Sequence, residues 1–442
     1  MRAEPARRSP EATGSVGRTS ADRAIARPAV IARTEEALAR VLAMEHPADA
    51  VLARYFREHP RLGVRDRAFV AEAVYAALRH ARFLDAAGAV SPRSRVLAAA
   101  FRFGGFKLRE LEPLTEEERR WLAGLKGLRY ESLPLPVQAE LPDWLWARLA
   151  AAYGEAQALA LGRSMQHPAP LDLRVNSLRA QRHSVLQALA EEGIQAAPTP
   201  YSPVGIRVRG KPSLQHSPLF LTGALEVQDE GSQLLAYLVS PRRGEMVVDF
   251  CAGAGGKTLH LGALMGSEGR VYAFDVADRR LARLRSRLKR SGLSNVYPQR
   301  IDSENDARVR RLAGKIDRVL VDAPCSGSGT LRRNPDLKWR QSPATVAALV
   351  RVQTSLLDAA ARLVKPGGRL VYATCSLLAE ENEAVVEAFL SRSPAFSLVP
   401  ASEVLARHDI IIGTGPWLRL LPHVHGTDGF FAAVLERTRA AS

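Results

Sequence analysis

Residues 247–258 read VVDFCAGAGGKT. A short apolar run meets a turn built on Gly253, Gly255 and Gly256, and the helical pattern KTLHLGALM follows. Strand, glycine turn and helix in that order open a βαβ unit. Glycines there let backbone approach a ligand closely and aim a helix N-terminus at it. The spacing is neither GxGxxG nor the GxxxxGK[ST] of a phosphate loop, so the closing GKT is no Walker motif.

Downstream the alternation continues. VYAFD, NVYPQRI, DRVLVDA and GGRLVYATC read as further strands, with RRLARLRSRLKRSG and ATVAALVRVQTSLLDAAARLVK as helices between them. WLRLLP and FFAAVLERT read as a closing antiparallel pair. Residues 241–442 are therefore expected to form a doubly wound, Rossmann-like α/β domain with a mostly parallel sheet. Upstream, residues 142–240 mix helix and strand and read as a small α+β module. Residues 29–130 carry only helical periodicity, as in AVIARTEEALARVLAME, and read as an all-α domain. Proline-rich LEPLTEE and LPLPVQAELPDW place a boundary near 125–142. Residues 1–28 are rich in Arg, Ala and Ser, lack an apolar segment, and read as a disordered basic tail and no secretory signal.

The chain has 442 residues, 62 Lys+Arg against 46 Asp+Glu, and a net charge of +16, a balance that suits a polyanionic partner such as nucleic acid. An Arg- and Ala-rich composition also raises charge without function, so charge alone decides little. No run of 18 apolar residues occurs, which excludes a helical membrane span and leads us to expect a cytoplasmic protein. The three cysteines, Cys251, Cys325 and Cys375, are too few for a disulfide scaffold and lack the close spacing of a metal site, so no metal is expected.

Asp275 ends the second strand of the α/β domain, nineteen residues after Gly256. An acid there accepts ribose hydroxyls of an adenosine-bearing ligand. The glycine loop and one acid fit a methyltransferase and a dinucleotide enzyme equally. Asp302, after the third strand, is in place to contact an adenine amine or to cap a helix. Arg280 opens the next helix and reads as a cofactor contact or a surface charge. Asp322, Pro324 and Cys325 follow the strand RVLV, and Cys375 ends RLVYAT. Strand carboxyl ends form the ligand crevice of such sheets, so two thiols and an acid converge beside the cofactor. Cys251, in the strand–loop elbow, reads as a packing thiol.

These residues carry a resemblance. FCAGAGGKT at 250–258, VDAPCSGSGTLRRNPDLKW at 321–339, YATCS at 372–376 and DGFF at 428–431 resemble the RNA 5-methylcytosine methyltransferases of the RsmB/Nop2/Sun family. LRVN at 173–176 and QDEGS at 228–232 are similar to that family's preceding module. GVRDRAFVAEAVYAALRHARFLD at 63–85 is similar to a NusB-like RNA-binding domain. One departure is Gly253-Ala254, where the family commonly has a Pro before its glycines.

The resemblance implies a class I methyltransferase domain using S-adenosyl-L-methionine. It further implies methylation of cytosine C5 in 16S ribosomal RNA, free or in an assembling small subunit, by a monomer. Cys375 would then be the nucleophile at C6 and Cys325 the group that assists product release. Asp322 would hold the base, donating to N3 or accepting from the exocyclic amine, and Lys257 would orient the site or bind phosphate. Cofactor contacts are expected from Cys251, Ala252, Gly253, Ala254, Gly255, Gly256, Lys257, Asp275, Arg280, Asp302 and Asp322. RNA contacts are expected from Arg174, Asn176, Arg332, Arg333, Lys338, Trp339 and Arg340, extended by Arg207, Arg209 and Lys211. Three other readings remain: a methyltransferase for another rRNA site or tRNA, a nicotinamide-dependent oxidoreductase, and a noncatalytic rRNA-binding assembly factor. The last two leave the paired thiols idle.

Overall fold

The computed structural model describes residues 28–210, 212–413 and 415–439. All but Pro28 of the basic tail, and Lys211, lie outside them. The chain divides into two compact units, one ending at Arg129 and one starting at Tyr130.

The first unit is helical among its described residues, with helices Pro28–Leu42, Ala48–Glu58, Val64–Arg79, Ala81–Ala86, Pro92–Arg102 and Glu116–Gly124. Ile31, Leu38 and Val41 line one face of the first helix at the three- and four-residue spacing that buries a stripe. They share a core with Val70, Val74 and Leu78 of the third helix and Val96 and Leu97 of the fifth. Ser91 starts that fifth helix with a capping box to Ser94 and a proline in its first turn.

The second unit opens with helices Leu135–Gln138, Asp143–Tyr153 and Glu155–Ser164 and then a four-stranded antiparallel sheet. Its strands are β1 (Leu171–Val175), β2 (Ala196–Pro198), β3 (Gly205–Val208) and β4 (Leu225–Val227), in the order β2-β3-β1-β4. Leu173, Val175, Ile206, Val208 and Leu225 pack against Val185 and Leu189 of the helix Arg182–Glu191.

The large sheet follows, with β5 (Met246–Asp249), β6 (Arg270–Asp275), β7 (Val296–Arg300), β8 (Ile316–Asp322), β9 (Val364–Thr374), β10 (Phe396–Val399), β11 (Leu418–Leu420) and β12 (Phe430–Arg437). Its order is β10-β12-β9-β8-β5-β6-β7, with β11 pairing β12. Strands β5 to β9 are parallel, and β12 lies antiparallel to β9, β10 and β11. Alternate side chains enter opposite layers. Val247, Val271, Leu320 and Val371 face one set of helices; Val248, Val319, Val321 and Tyr372 face the other. The parallel sheet and the β11–β12 pair match the sequence reading. Strand β10 was not anticipated: FSLV is a half-exposed edge segment and lacks the continuous apolar run of a central strand.

Topology sets the site. The chain runs outward from β5 through β6 and β7, then returns to β8 on the other side of β5. The switch between β5 and β8 opens a crevice at their carboxyl ends, and β9 lies beside β8 in register, Asp322 opposite Ala373.

Candidate active site

The glycine loop leaves β5 and turns into the helix Gly256–Leu264. Gly255 has φ 84°, and a Cβ there would come within 2.1 Å of Leu284 Cδ1, so glycine is required twice over. Gly253 has φ 56°, and a Cβ on it would meet nothing nearer than the Cys251 carbonyl at 4.0 Å, so the loop's outer side is open. Asp275 steadies the turn, accepting from the N–H groups of Gly253 and Ala277 at 2.8 Å each. Arg280 is exposed and 3.9 Å from Asp275. Two guanidiniums hold the loop from behind: Arg287 donates to the Ala254 carbonyl at 2.8 Å and Arg174 to that of Gly256 at 2.6 Å. Asp249, at the end of β5, accepts from Thr258 Oγ1 at 2.6 Å, while its buried Oδ1 has no hydrogen-bond partner. Burial first, then the charges of Asp322 and Asp275, push Asp249 up to about 7 against the Thr258 bond and Lys257. An open glycine loop at a helix N-terminus, an ordered strand-end acid and an orphaned carboxylate oxygen beneath them fit a nucleoside ligand that carries a cationic group.

The two strand-end thiols meet. Cys325 Sγ and Cys375 Sγ lie 3.3 Å apart and share a hydrogen bond. That bond first, then burial and the charges of Cys375 and Glu381, hold the Cys325 thiol well above the ordinary thiol range. Lys257 reaches in from the glycine-loop helix and donates to Asp322 Oδ2 at 2.7 Å. Burial works to lower its pKa, but the charge and hydrogen bond of Asp322, with Cys375 and Asp249, raise it, so an ammonium stands on the Cys375 side of the pair. Phe430 closes the crevice, its ring centroid 5.8 Å from Lys257 Nζ.

Behind the sulfurs the loops are laced together. Gly329 N–H donates to the Cys375 carbonyl at 2.9 Å, and Gly429 N–H to the Gly329 carbonyl at 2.8 Å. A Cβ on Gly329 would stand 2.2 Å from the Gly429 oxygen, which explains Gly329 of SGSG and Gly429 of DGFF as a backbone contact. Leu377 N–H donates to Ser328 Oγ at 2.8 Å, and Ser326 and Ser328 each lie 3.2 Å from Ser376 through their hydroxyls.

Cys325, Cys375, Asp322 and Lys257 thus stand together, with the loop 251–256 and Asp275 adjoining. Asp302 lies exposed beyond β7, bonded to Arg300 at 3.1 Å. Cys251 packs against the core under the sheet, and burial raises its thiol.

The expected RNA surface needs correction. Arg174 is 2% exposed and serves the glycine loop. Asn176, also buried, donates to the carbonyls of Gly223 and Ser291 at 3.0 Å each. Arg332 is buried against Asp428, and Lys338 is buried with its ammonium on the Glu140 carbonyl at 2.7 Å. Arg333 bonds Asp229 and Asp428, Arg340 lies 3.5 Å from Asp336, Trp339 is half-buried, and Arg207 pairs in bidentate fashion with Asp172. Arg209 is exposed. Charge beside a catalytic loop reads in sequence as a solvated stripe; here acids from β1, from the start of the helix Glu230–Val239 and from the turn before β12 absorb much of it.

Asp249, Thr258, Arg287 and Glu381 had no place in the sequence reading. An acid closing an apolar strand before a glycine turn was a usable signal for Asp249.

Comparison with known proteins agrees with this arrangement. The family described as 16S rRNA methyltransferase RsmB/F matches residues 236–436, and the RsmF/B-like ferredoxin-like domain matches residues 141–215. A probable ribosomal RNA small subunit methyltransferase B from Synechocystis sp. is 35% identical over 425 residues, covering 88% of this chain and 95% of that protein. Its counterpart from Bacillus subtilis is 34% identical over 307 residues, 69% of this chain and 68% of the relative. Among solved structures, the crystal structure of PH0851 is 29% identical, covers 93% of this chain and 99% of that one, and superposes with a TM-score of 0.74.

Proposed function

This chain belongs to the 16S rRNA methyltransferase RsmB/F family, and from that membership we propose that its paired thiols carry a covalent methyl transfer, with Cys375 as nucleophile and Cys325 as release group. The protein is an S-adenosyl-L-methionine-dependent 16S rRNA cytosine-C5 methyltransferase. S-adenosylmethionine supplies the electrophilic methyl group. Gly253, Gly255, Gly256 and Asp275 would hold it, with Asp249 and its unpartnered oxygen beneath the loop.

The target cytosine enters the crevice unstacked, by flipping or from a single-stranded segment. Cys375 thiolate adds to C6, and the electron pair of the C5–C6 double bond moves to make C5 nucleophilic. Once C5 has been methylated, its proton leaves to a base, the C5–C6 double bond re-forms and the Cys375 sulfur departs as thiolate. Asp322, already bonded to an ammonium, keeps an oxygen for the exocyclic amine of the base, so the acceptor role suits it better than donation to N3. Lys257 favours the Cys375 thiolate through its charge. Cys325, bonded to the nucleophilic sulfur, assists its departure.

The observation that carries this reading is the 3.3 Å contact between two sulfurs at adjacent strand ends, beside the glycine loop. A nicotinamide enzyme and a noncatalytic binding factor have no use for it. The helical region 29–130 binds RNA as a NusB-like domain, and the protein works in the cytoplasm; among the described residues no helix is long and apolar enough to cross a membrane. The test is transfer of a labelled methyl group to 16S rRNA from cells lacking this enzyme, with the product read as 5-methylcytosine. Label at another atom, or none, overturns the reading.

A further inference from the structure

Glu381 lies in the short turn Ala379–Glu381 after β9 and is fully buried. Its Oε1 accepts from Ser326 N–H at 2.8 Å and from Gln353 Nε2 at 3.0 Å. Its Oε2 accepts from the hydroxyls of Ser326 and Ser376 at 2.5 Å each. Ser326 directly follows Cys325 and Ser376 directly follows Cys375. Gln353 also donates to the carbonyl of Pro324, the residue before Cys325, at 2.9 Å. One carboxylate therefore grips both thiol-bearing loops through residues adjoining the sulfurs. Its own carbonyl accepts from Tyr372 at 2.6 Å, which ties the turn to β9.

The four donors to the carboxylate are all neutral, so its charge is hydrogen-bonded but not cancelled by them. In a buried setting such a charge acts strongly on the nearest ionisable group. Cys325 is faced by Cys375, by Glu381 and by Tyr372. Cys375 is faced by Cys325 and by Lys257, itself bonded to Asp322. The charge of Glu381 acts on Cys325 and that of Lys257 interacts with Cys375, though the sulfurs share one hydrogen bond.

We propose that Glu381 is a positioning residue that locks the Cys325 and Cys375 loops in one frame and keeps the proton of the shared hydrogen bond on Cys325. The distinction between the two thiols then draws on Glu381 at Cys325 as well as Lys257 at Cys375. Loss of the charge with the shape kept is expected to blur the distinction between the sulfurs.

Site-resolved alkylation of the full chain with iodoacetamide across pH, read by mass spectrometry at each cysteine, tests this without RNA or methyl donor. In the wild type, Cys325 is expected to resist alkylation until alkaline pH; ready alkylation of Cys325 at neutral pH overturns the proposal, whether or not any variant folds. The Cys375→Ala background then isolates Cys325. Adding Glu381→Gln there is expected to raise Cys325 alkylation several-fold at neutral pH with Cys251 unchanged, while Glu381→Asp, which keeps the charge, stays close to its parent. An unchanged Cys325 profile, or an equal rise at Cys325 and Cys251, marks a merely structural role and overturns the proposal. The inference rests on the covalent reading of the thiols, but alkylation needs no methyl transfer. A failed methylation assay with the Cys325 alkylation pattern intact would count against that reading alone.

Discussion

At the C-terminal end of β5, Asp249 keeps one oxygen on Thr258 and the other without a partner. Its value of about 7 in the folded chain lies above the ordinary carboxylate range, so the native state holds this proton more tightly than the unfolded chain does. The stability that proton contributes is complete below about pH 4 and is lost as pH rises through about 7. Asp249→Asn removes the titration. In cofactor-free protein, the melting temperature of the variant relative to wild type is therefore expected to rise by a few degrees between pH 5 and pH 8. A difference independent of pH would contradict the burial argument. The partner thiol gives a second expectation: Cys325→Ala should let an enzyme–RNA adduct build up on ordinary cytosine RNA, visible as a slow-migrating band under denaturing conditions. Both sulfurs and Asp275 were legible because a polar residue closing a strand of an open parallel sheet faces the crevice. Glu381 was not, since LLAEENE reads as a solvated helix start until folding brings Ser326 and Gln353 to it. Chemistry in the sequence also does not rank the two thiols; that ranking rests on family membership.

Between elements, a tight joint is the backbone contact of the Cys325 loop with the turn before β12. Gly329→Ala would place a methyl group 2.2 Å from the Gly429 carbonyl, against backbone that has no free direction to yield. Overpacking of this kind costs about 1–3 kcal/mol. Because the same loop carries Cys325 and bonds the Cys375 carbonyl, kcat is expected to fall roughly 10–100-fold through misplacement alone. Methyl-transfer kinetics alongside thermal melting check both parts; full activity would show that the loops adjust freely. The parallel strands were readable as near-continuous apolar runs, the pattern of strands buried on both faces. Strand β10 carried no such run, and its pairing with β12 is a property of the closed sheet.

For the whole molecule, a net charge of +16 gave a fair expectation of a polyanionic partner and a poor map of where it sits. Much of the positive charge beside the site is turned inward, and Arg174 and Arg287 grip the glycine loop. Glu226 of β4 in turn pairs with Arg287 and Arg290, so the small antiparallel module supports the glycine loop from behind. Arg174→Gln is expected to weaken S-adenosylmethionine binding several-fold by calorimetry. The same change should leave the slope of rRNA affinity against salt concentration unchanged, since a buried guanidinium releases no counterions on RNA binding. A shallower slope with normal cofactor affinity would return Arg174 to the RNA surface. Exposed Arg279, Arg283 and Lys289 lie on the outer face of the helix Asp278–Ser291 and remain open to solvent counterions. The division into units falls after Arg129, between the segments LEPLTEE and LPLPVQAELPDW.

The most direct test of the chemistry is to trap the enzyme on 16S rRNA carrying 5-fluorocytosine at the target, with S-adenosylmethionine present. Fluorine at C5 cannot leave as a proton does, so the covalent adduct persists. Proteolysis and mass spectrometry then identify the attached cysteine. The expected result is a cross-link at Cys375, retained in Cys325→Ala and lost in Cys375→Ala. A cross-link at Cys325 that survives Cys375→Ala would contradict the assignment of the nucleophile.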